Sequence, residues 1–231
     1  MNLIICPSRG RPERVITMLE SFYNTRSDSS SIIVYVADDD PKLNEYKDAL
    51  QHHSYIIGPR RTIVEVFNYI SQDNPGYAFY GEINDDHVFR TKGWDKILTD
   101  KIIDGGGWGI ACGRDLMHDG DHQVPSGLVM SSNIIDALGW MAHPSFKHTF
   151  IDNYWGDLAK GIGKYYYCPE VIIEHRHLLA GKAEPDDNYR YSMSQKAWIY
   201  GQTAYNNWVQ NRRQKDIDKV LSAMNNFRYV I

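Results

Sequence analysis

Two hydrophobic periods alternate along the first hundred residues. Short apolar runs at 3–6, 31–36, 55–57 and 77–83 read as strands buried on both faces. Between them, apolar side chains recur every three or four positions: Val15, Met18, Leu19 and Phe22 within 12–23, then Ile63, Val66, Phe67 and Ile70 within 62–71. Another helix is predicted at 94–103. This alternation predicts an α/β fold, a mainly parallel sheet flanked by crossover helices. The pattern does not encode strand order.

Beyond residue 104 the rhythm is less regular. Gly105, Gly106 and Gly107 break the chain before a predicted strand at 108–112. A strand at 126–130 and a short helix at 131–138 follow, with Ser131 or Ser132 as its cap. A helix over 151–163, closed by Gly161 and Gly163, leads to a strand at 171–173. Two further helices, 189–211 and 214–225, predict a C-terminal helical extension. The expected division is a domain over 1–187 and an extension, 188–231, packed on it.

With 42% hydrophobic and 23% charged residues in 231, the chain has the makeup of a globular protein, not a disordered one. Cys6, Cys112 and Cys168 are odd in number and far apart, which predicts free buried thiols and excludes a zinc spacing. No apolar run is long enough to span a membrane, and 3–6 is too short for a secretion signal, so a cytoplasmic location is expected. The net charge of −4 divides unevenly: residues 1–187 carry 18 cations against 27 acids, residues 188–231 carry 7 against 2. The basic tail is also aromatic, with Tyr189, Tyr191, Trp198, Tyr200, Tyr205 and Trp208. It could follow a polyanion by charge and stacking, or cap the sheet as two amphipathic helices with the aromatics inward.

The most informative local feature is the strand at 77–83 running into Asn84, Asp85, Asp86 and His87. Open α/β sheets keep their ligand crevice at the strands' carboxyl ends. Two carboxylates there repel each other unless a cation neutralises them, and oxygen ligands suit Mg²⁺ or Mn²⁺. Such an ion is well suited to carrying a diphosphate. Asp38, Asp39 and Asp40, after the second strand, form a rival acidic cluster. Arg9, Arg11, Arg60 and Arg61 flank the same strand ends, where planar guanidinium forks suit phosphate or stack on a base. The bland alternatives are turn residues for the acids and solvated surface for the arginines.

Taken in order, Cys6-Pro-Ser-Arg-Gly-Arg-Pro12, Val36-Ala-Asp-Asp39, Gly58-Pro-Arg-Arg61, Asn84-Asp-Asp-His87, Phe150-Ile-Asp-Asn-Tyr-Trp155 and Glu174-His-Arg-His177 form a recognisable series. The chain resembles the GT-A fold (Rossmann-like) nucleotide-sugar-dependent glycosyltransferases, of the family-2-like branch with phage and bacterial members. The resemblance covers roughly residues 1–180, and its specificity lies in the ordered set. It implies a metal-dependent, inverting hexosyl- or pentosyltransferase using a nucleoside diphosphate sugar, UDP-linked by preference. Asp86 and His175 would then hold Mn²⁺ or Mg²⁺, with Asp85 on the ribose or the metal's water shell. Pro7, Ser8, Arg9, Arg11, Arg60 and Arg61 would bind the donor, and Asp39 would accept from the uracil N3–H. Asp152 would be the general base, with Asp157 as a fallback; relatives place a Glu-Asp pair where this chain has Ile151-Asp152. Trp140 and Trp155 could stack on an acceptor, and residues 118–122 are read as a mobile acceptor-side loop.

A glycan or small hydroxylated molecule is the favoured acceptor. Phage relatives also make hydroxymethylated DNA a candidate, and a phage-encoded chain would act in the host cytoplasm. Two other classes remain beside this reading: a noncatalytic sugar- or nucleic-acid-binding module, and a nucleotidyltransferase of related fold. The latter would need a Gly-rich first loop that residues 8–12 do not supply.

Overall fold

The computed structural model describes residues 1–118 and 124–227. Among the described residues, eight strands form one sheet: β1 (Asn2–Ser8), β2 (Ser30–Ala37), β3 (Tyr55–Gly58), β4 (Phe79–Glu82), β5 (His87–Phe89), β6 (Ile110–Arg114), β7 (Leu128–Ser131) and β8 (Tyr165–His175). Their spatial order is β3-β2-β1-β4-β7-β6-β8-β5. The β3-β2-β1-β4 half is parallel, as the alternation predicts. The other half is mixed: β7 runs antiparallel to β4 and β6, and β6 runs parallel to β8. Strand β5 pairs antiparallel with β8 in a register that sets His87 opposite His175.

Side chains alternate across β1, so Leu3 and Ile5 enter one core while Ile4 and Cys6 enter the other. The second core takes α1 (Pro12–Thr25), α2 (Leu43–Ala49) and α4 (Trp94–Asp104). The first takes α3 (Ile63–Asp73), α5 (Ser132–Leu138) and α6 (Ile151–Gly161), together with α8 (Gln195–Asn211) and α9 (Arg213–Phe227). Pro12 opens α1, where its missing N–H is no loss. Thr62 and Glu65 close a reciprocal capping box at the start of α3. Gly81 lets β4 approach β7: a Cβ there would stand 2.9 Å from the Leu128 carbonyl oxygen.

Several elements depart from expectation. β8 is far longer than the predicted 171–173, and α2 and β5 were not foreseen. The helix expected over 189–211 is two, α7 (Asp187–Ser192) and α8, separated where Ser194 caps Ala197 N–H. Ser131 precedes α5 but makes no side-chain cap. The tail aromatics divide: Tyr189 and Trp208 are buried, Tyr205 is half-buried, and Tyr191, Trp198 and Tyr200 are exposed. All three cysteines are free and buried. Among the described residues, no helix is long and apolar enough to cross a membrane.

Candidate active site

The carboxyl ends of β1, β2 and β4 open into a cleft of about 700 Å³. Pro7, Ser8, Arg9, Arg11, Arg60, Arg61, Asp85, Asp86, Asp152 and His175 all line it, although they span 169 positions of the chain. Asp39 stands outside the lining, but its carboxylate is 2.6 Å from Arg9 Nη1 and 3.8 Å from Arg60 Nη1. Arg61 lies over the Tyr69 ring at 4.5 Å. Arg9, Arg60 and Arg61 therefore remain near the mouth of the cleft.

Arg11 is different. It is buried, and its Nη1 donates to Asp85 Oδ1 at 2.9 Å. Its Nε and Nη2 form a fork on Asp186 at 2.7 and 2.8 Å. The expected phosphate-gripping guanidinium is already shared between two carboxylates. Ser8 Oγ donates to Asp85 Oδ2 at 2.7 Å, and the Tyr46 hydroxyl meets Ser8 Oγ at 2.6 Å. Burial pushes the Asp85 carboxyl up to about 6, against the pull of Arg11.

Asp86 is held from one side. Tyr189 donates its hydroxyl proton to Oδ2 at 2.7 Å, while Oδ1 is buried without a hydrogen-bond donor among the described residues. His175 Nε2 is 3.2 Å from that Oδ1, but off the hydrogen-bonding directions, and His175 Nδ1 also has no hydrogen-bond partner among the described residues. Burial opposes ionisation of Asp86, but His175, His87 and the Tyr189 hydroxyl outweigh it and hold the carboxyl well below the usual range.

A buried carboxylate oxygen without a donor, facing an imidazole nitrogen at 3.2 Å with no well-directed hydrogen bond between them, is an unstable arrangement for a neutral interior and a natural one for a cation. Two adjacent ligands of an octahedral ion at about 2.1 Å stand ~3 Å apart, close to the observed separation. A carboxylate oxygen with an imidazole nitrogen is a donor set for a first-row divalent ion. The pair therefore fits a divalent ion.

His87 lies within ligand distance of both residues. Its ring nitrogens are engaged elsewhere: Nδ1 accepts from Asn84 N–H at 3.2 Å and Nε2 meets Ser126 Oγ at 3.0 Å. Burial drives its pKa down to about 3, so the ring is neutral. It stacks on His175 at 4.2 Å between centroids and buttresses that ring.

Asp152, in the first turn of α6, reaches the cleft with no hydrogen-bond partner among the described residues. Burial raises its carboxyl to about 6, partly offset by His175 and His118. Glu82, also on the cleft wall, is pushed up to about 8 by burial and then by the Asp152 charge; its Oε1 accepts Gly127 N–H at 2.6 Å. Asp115 accepts from the backbone N–H groups of Met117 and His118 and meets His118 Nδ1 at 2.6 Å. Asp157, the fallback base, turns away: it accepts from Tyr205 at 2.6 Å and lies 3.8 Å from Arg213. Trp155 is fully buried with its Nε1 donating to Met141 O, and Trp140 donates to the Tyr154 hydroxyl. The exposed aromatics of the cleft are Tyr191 and Trp198. Of the expected acceptor-side loop, 119–122 lie outside the described residues.

From sequence, Glu82 and Asp186 carry no expected role, and Tyr189 enters only among the tail aromatics. For Glu82 the signal was present, an acid inside an otherwise apolar strand. Asp186 and Tyr189 gave none that local pattern could supply.

No family profile matches the chain, and no curated protein sequence does. Solved structures do. S. aureus TarS 1-349 in complex with UDP superposes with a TM-score of 0.57 and 10% identity, over 100% of this chain and 92% of that one. TarS 1-349 with UDP-GlcNAc gives 0.57 at 11% identity, over 99% and 91%. The mannosyltransferase PcManGT from Pyrobaculum calidifontis, with GDP-Man and Mn²⁺, gives 0.54 at 10% identity, over 96% and 73%. The fold is that of the GT-A nucleotide-sugar glycosyltransferases. At 10–11% identity the common property is architecture. In this chain the GT-A sheet keeps its cleft where the parallel strands end.

Proposed function

We propose that this protein is a metal-dependent, inverting glycosyltransferase that moves a sugar from a nucleoside diphosphate, UDP by preference, to a hydroxyl acceptor. One observation carries the reading. Asp86 Oδ1, buried without a hydrogen bond among the described residues and 3.2 Å from His175 Nε2, lies on the same cleft as the carboxyl of Asp152, which has no hydrogen-bond partner among the described residues. Support also comes from the UDP, UDP-GlcNAc and GDP-Man/Mn²⁺ complexes of proteins sharing the fold.

Asp86 and His175 would hold Mn²⁺ or Mg²⁺, which when bound offsets the charge developing on the diphosphate leaving group. Arg9, Arg60 and Arg61 supply cations at the donor end, and Asp39 an acceptor for the base. Pro7 and Ser8 bring the end of β1 against the donor. Asp85, fixed by Ser8 and Arg11, faces the ribose or the ion's water shell. Asp152 accepts the acceptor's hydroxyl proton while that oxygen bonds to the anomeric carbon. The bond from that carbon to the diphosphate breaks on the opposite face, its electron pair leaves with the phosphate oxygen, and the anomeric configuration inverts.

Thermal shift tests the site directly. UDP with Mn²⁺ at about a hundredfold excess over Kd is expected to raise Tm by roughly 5–10 °C. Neither alone should match it, and Asp86→Ala should abolish the joint effect. An equal shift in Asp86→Ala removes the site from consideration. NMR of the first-formed anomer reads the stereochemistry.

A further inference from the structure

Tyr189 lies 103 residues beyond Asp86 in sequence, on a helix outside the sheet, yet its hydroxyl is bonded to the carboxylate that faces the cleft. The direction of that bond is fixed by its surroundings. A phenol has one proton, and a guanidinium can only donate. Arg14 Nη1 donates to the Tyr189 oxygen at 2.9 Å, so the single phenolic proton is committed to Asp86 Oδ2.

The ring is fixed as well. Arg11 lies over its face at 4.2 Å, His177 meets it edge-on at 4.6 Å, and the residue is 3% exposed. Asp186, which forks Arg11, also caps α7 by accepting Tyr189 N–H at 3.0 Å. With Oδ2 consumed by a fixed donor, the carboxylate plane of Asp86 is set and Oδ1 is left facing His175 Nε2.

We infer that Tyr189 is the positioning residue of the cation site: the C-terminal segment, through its hydroxyl, orients Asp86 so that Oδ1 and His175 present together to a divalent ion. The inference rests on the metal-site reading above. Hydrogen-bond partners of ligating carboxylates act through the orientation and basicity of the ligand, and their loss weakens metal binding about 10–100-fold.

Tyr189→Phe removes only the hydroxyl and keeps the ring between Arg11 and His177. Loss of the free Mn²⁺ EPR signal, titrated in the presence of UDP, measures binding without any turnover. The variant is expected to bind Mn²⁺ about tenfold or more weakly than wild type. In activity assays KM for Mn²⁺ should rise while turnover at saturating Mn²⁺ stays within about twofold, a split that general loosening would not give. Arg14→Met, which keeps the phenol but frees its proton to rotate, serves if Tyr189→Phe does not fold; a drop of about two- to fivefold is expected. Wild-type binding with unchanged affinity in the variants overturns the role of Tyr189 alone. Wild-type protein that leaves the Mn²⁺ signal undiminished overturns the metal site, and this inference with it.

Discussion

Desolvation gives Asp152 both its chemical use and its thermodynamic cost. Its carboxyl titrates at about 6 instead of 3.8 because the charged form is deprived of water on the cleft wall. A base of that strength is deprotonated at neutral pH yet basic enough to accept a proton as the acceptor oxygen attacks. If it is the base, kcat/KM should climb with pH to about 6 and level above it. Asp152→Asn should lower turnover by about 10²–10⁴-fold while UDP affinity is retained. Stability should move the other way. Between pH 3.8 and 6 the folded state holds the extra proton, so this group lowers stability as pH rises through that window, and the full cost is present above it. Asp152→Asn is therefore expected to be more stable than wild type by roughly 1–3 kcal/mol at pH 7, with no advantage at pH 3.5. A denaturant titration at both pH values checks this. Equal stability at pH 7 would mean that the carboxylate is not desolvated.

Among elements, legibility followed how much of the signal was local. β1, α1, β2, β3, α3 and α4 each fell within a few residues of expectation, because a continuous apolar run or an apolar stripe marks each one. α2 escaped since Tyr46 is its only buried side chain, which leaves no stripe to read. Only 171–173 of β8 is legible in sequence because Pro169 and Glu170, both exposed, interrupt it; the sheet absorbs them where the β6–β8 register shifts between Cys112 and Arg114. The strand-end acids of the cleft were legible for a related reason, since their position follows from the local pattern alone. The clasp of Asp186 and Tyr189 on Arg11 and Asp86 was not, because pairing at such separation is set by tertiary packing. The α8 contact is equally long-range. Gly201 lies against the segment that leads into Asp152, where a Cβ would stand 2.0 Å from Thr149 Oγ1 and 2.8 Å from the Thr149 carbonyl oxygen. The hydroxyl can rotate away; the carbonyl cannot. Gly201→Ala should push α8 off this segment, lowering stability by about 1–3 kcal/mol and turnover with it, while UDP affinity, set at the far end of the cleft, is kept. Calorimetry beside a UDP titration separates the two effects. An unchanged Tm would show that α8 is not clamped there.

Across the whole molecule, the charge split between domain and tail raises the question of a polyanionic acceptor. The tail contributes Asn188, Tyr189, Tyr191, Ser192, Met193 and Trp198 to the cleft lining, and none of these is a cation. Four of its seven basic residues are engaged elsewhere. Arg190 pairs with Asp187, Arg212 with Asp216 and Arg213 with Asp157, while Lys219 donates to the Leu138 carbonyl. None of these four lines the cleft that holds Asp152, and the chain as a whole carries −4. Affinity for DNA depends on cations free to replace counterions along the phosphates. What the tail offers the cleft instead is exposed aromatic surface, Tyr191 and Trp198, which suits the apolar face of a sugar ring. Duplex DNA, with or without hydroxymethylated bases, is therefore expected to show no mobility shift at about 50 mM salt, where weak phosphate contacts are still strong. Arg212→Ala with Arg213→Ala should leave that result unchanged. A salt-dependent shift that the double variant abolishes would reverse the argument and make the tail the acceptor's track.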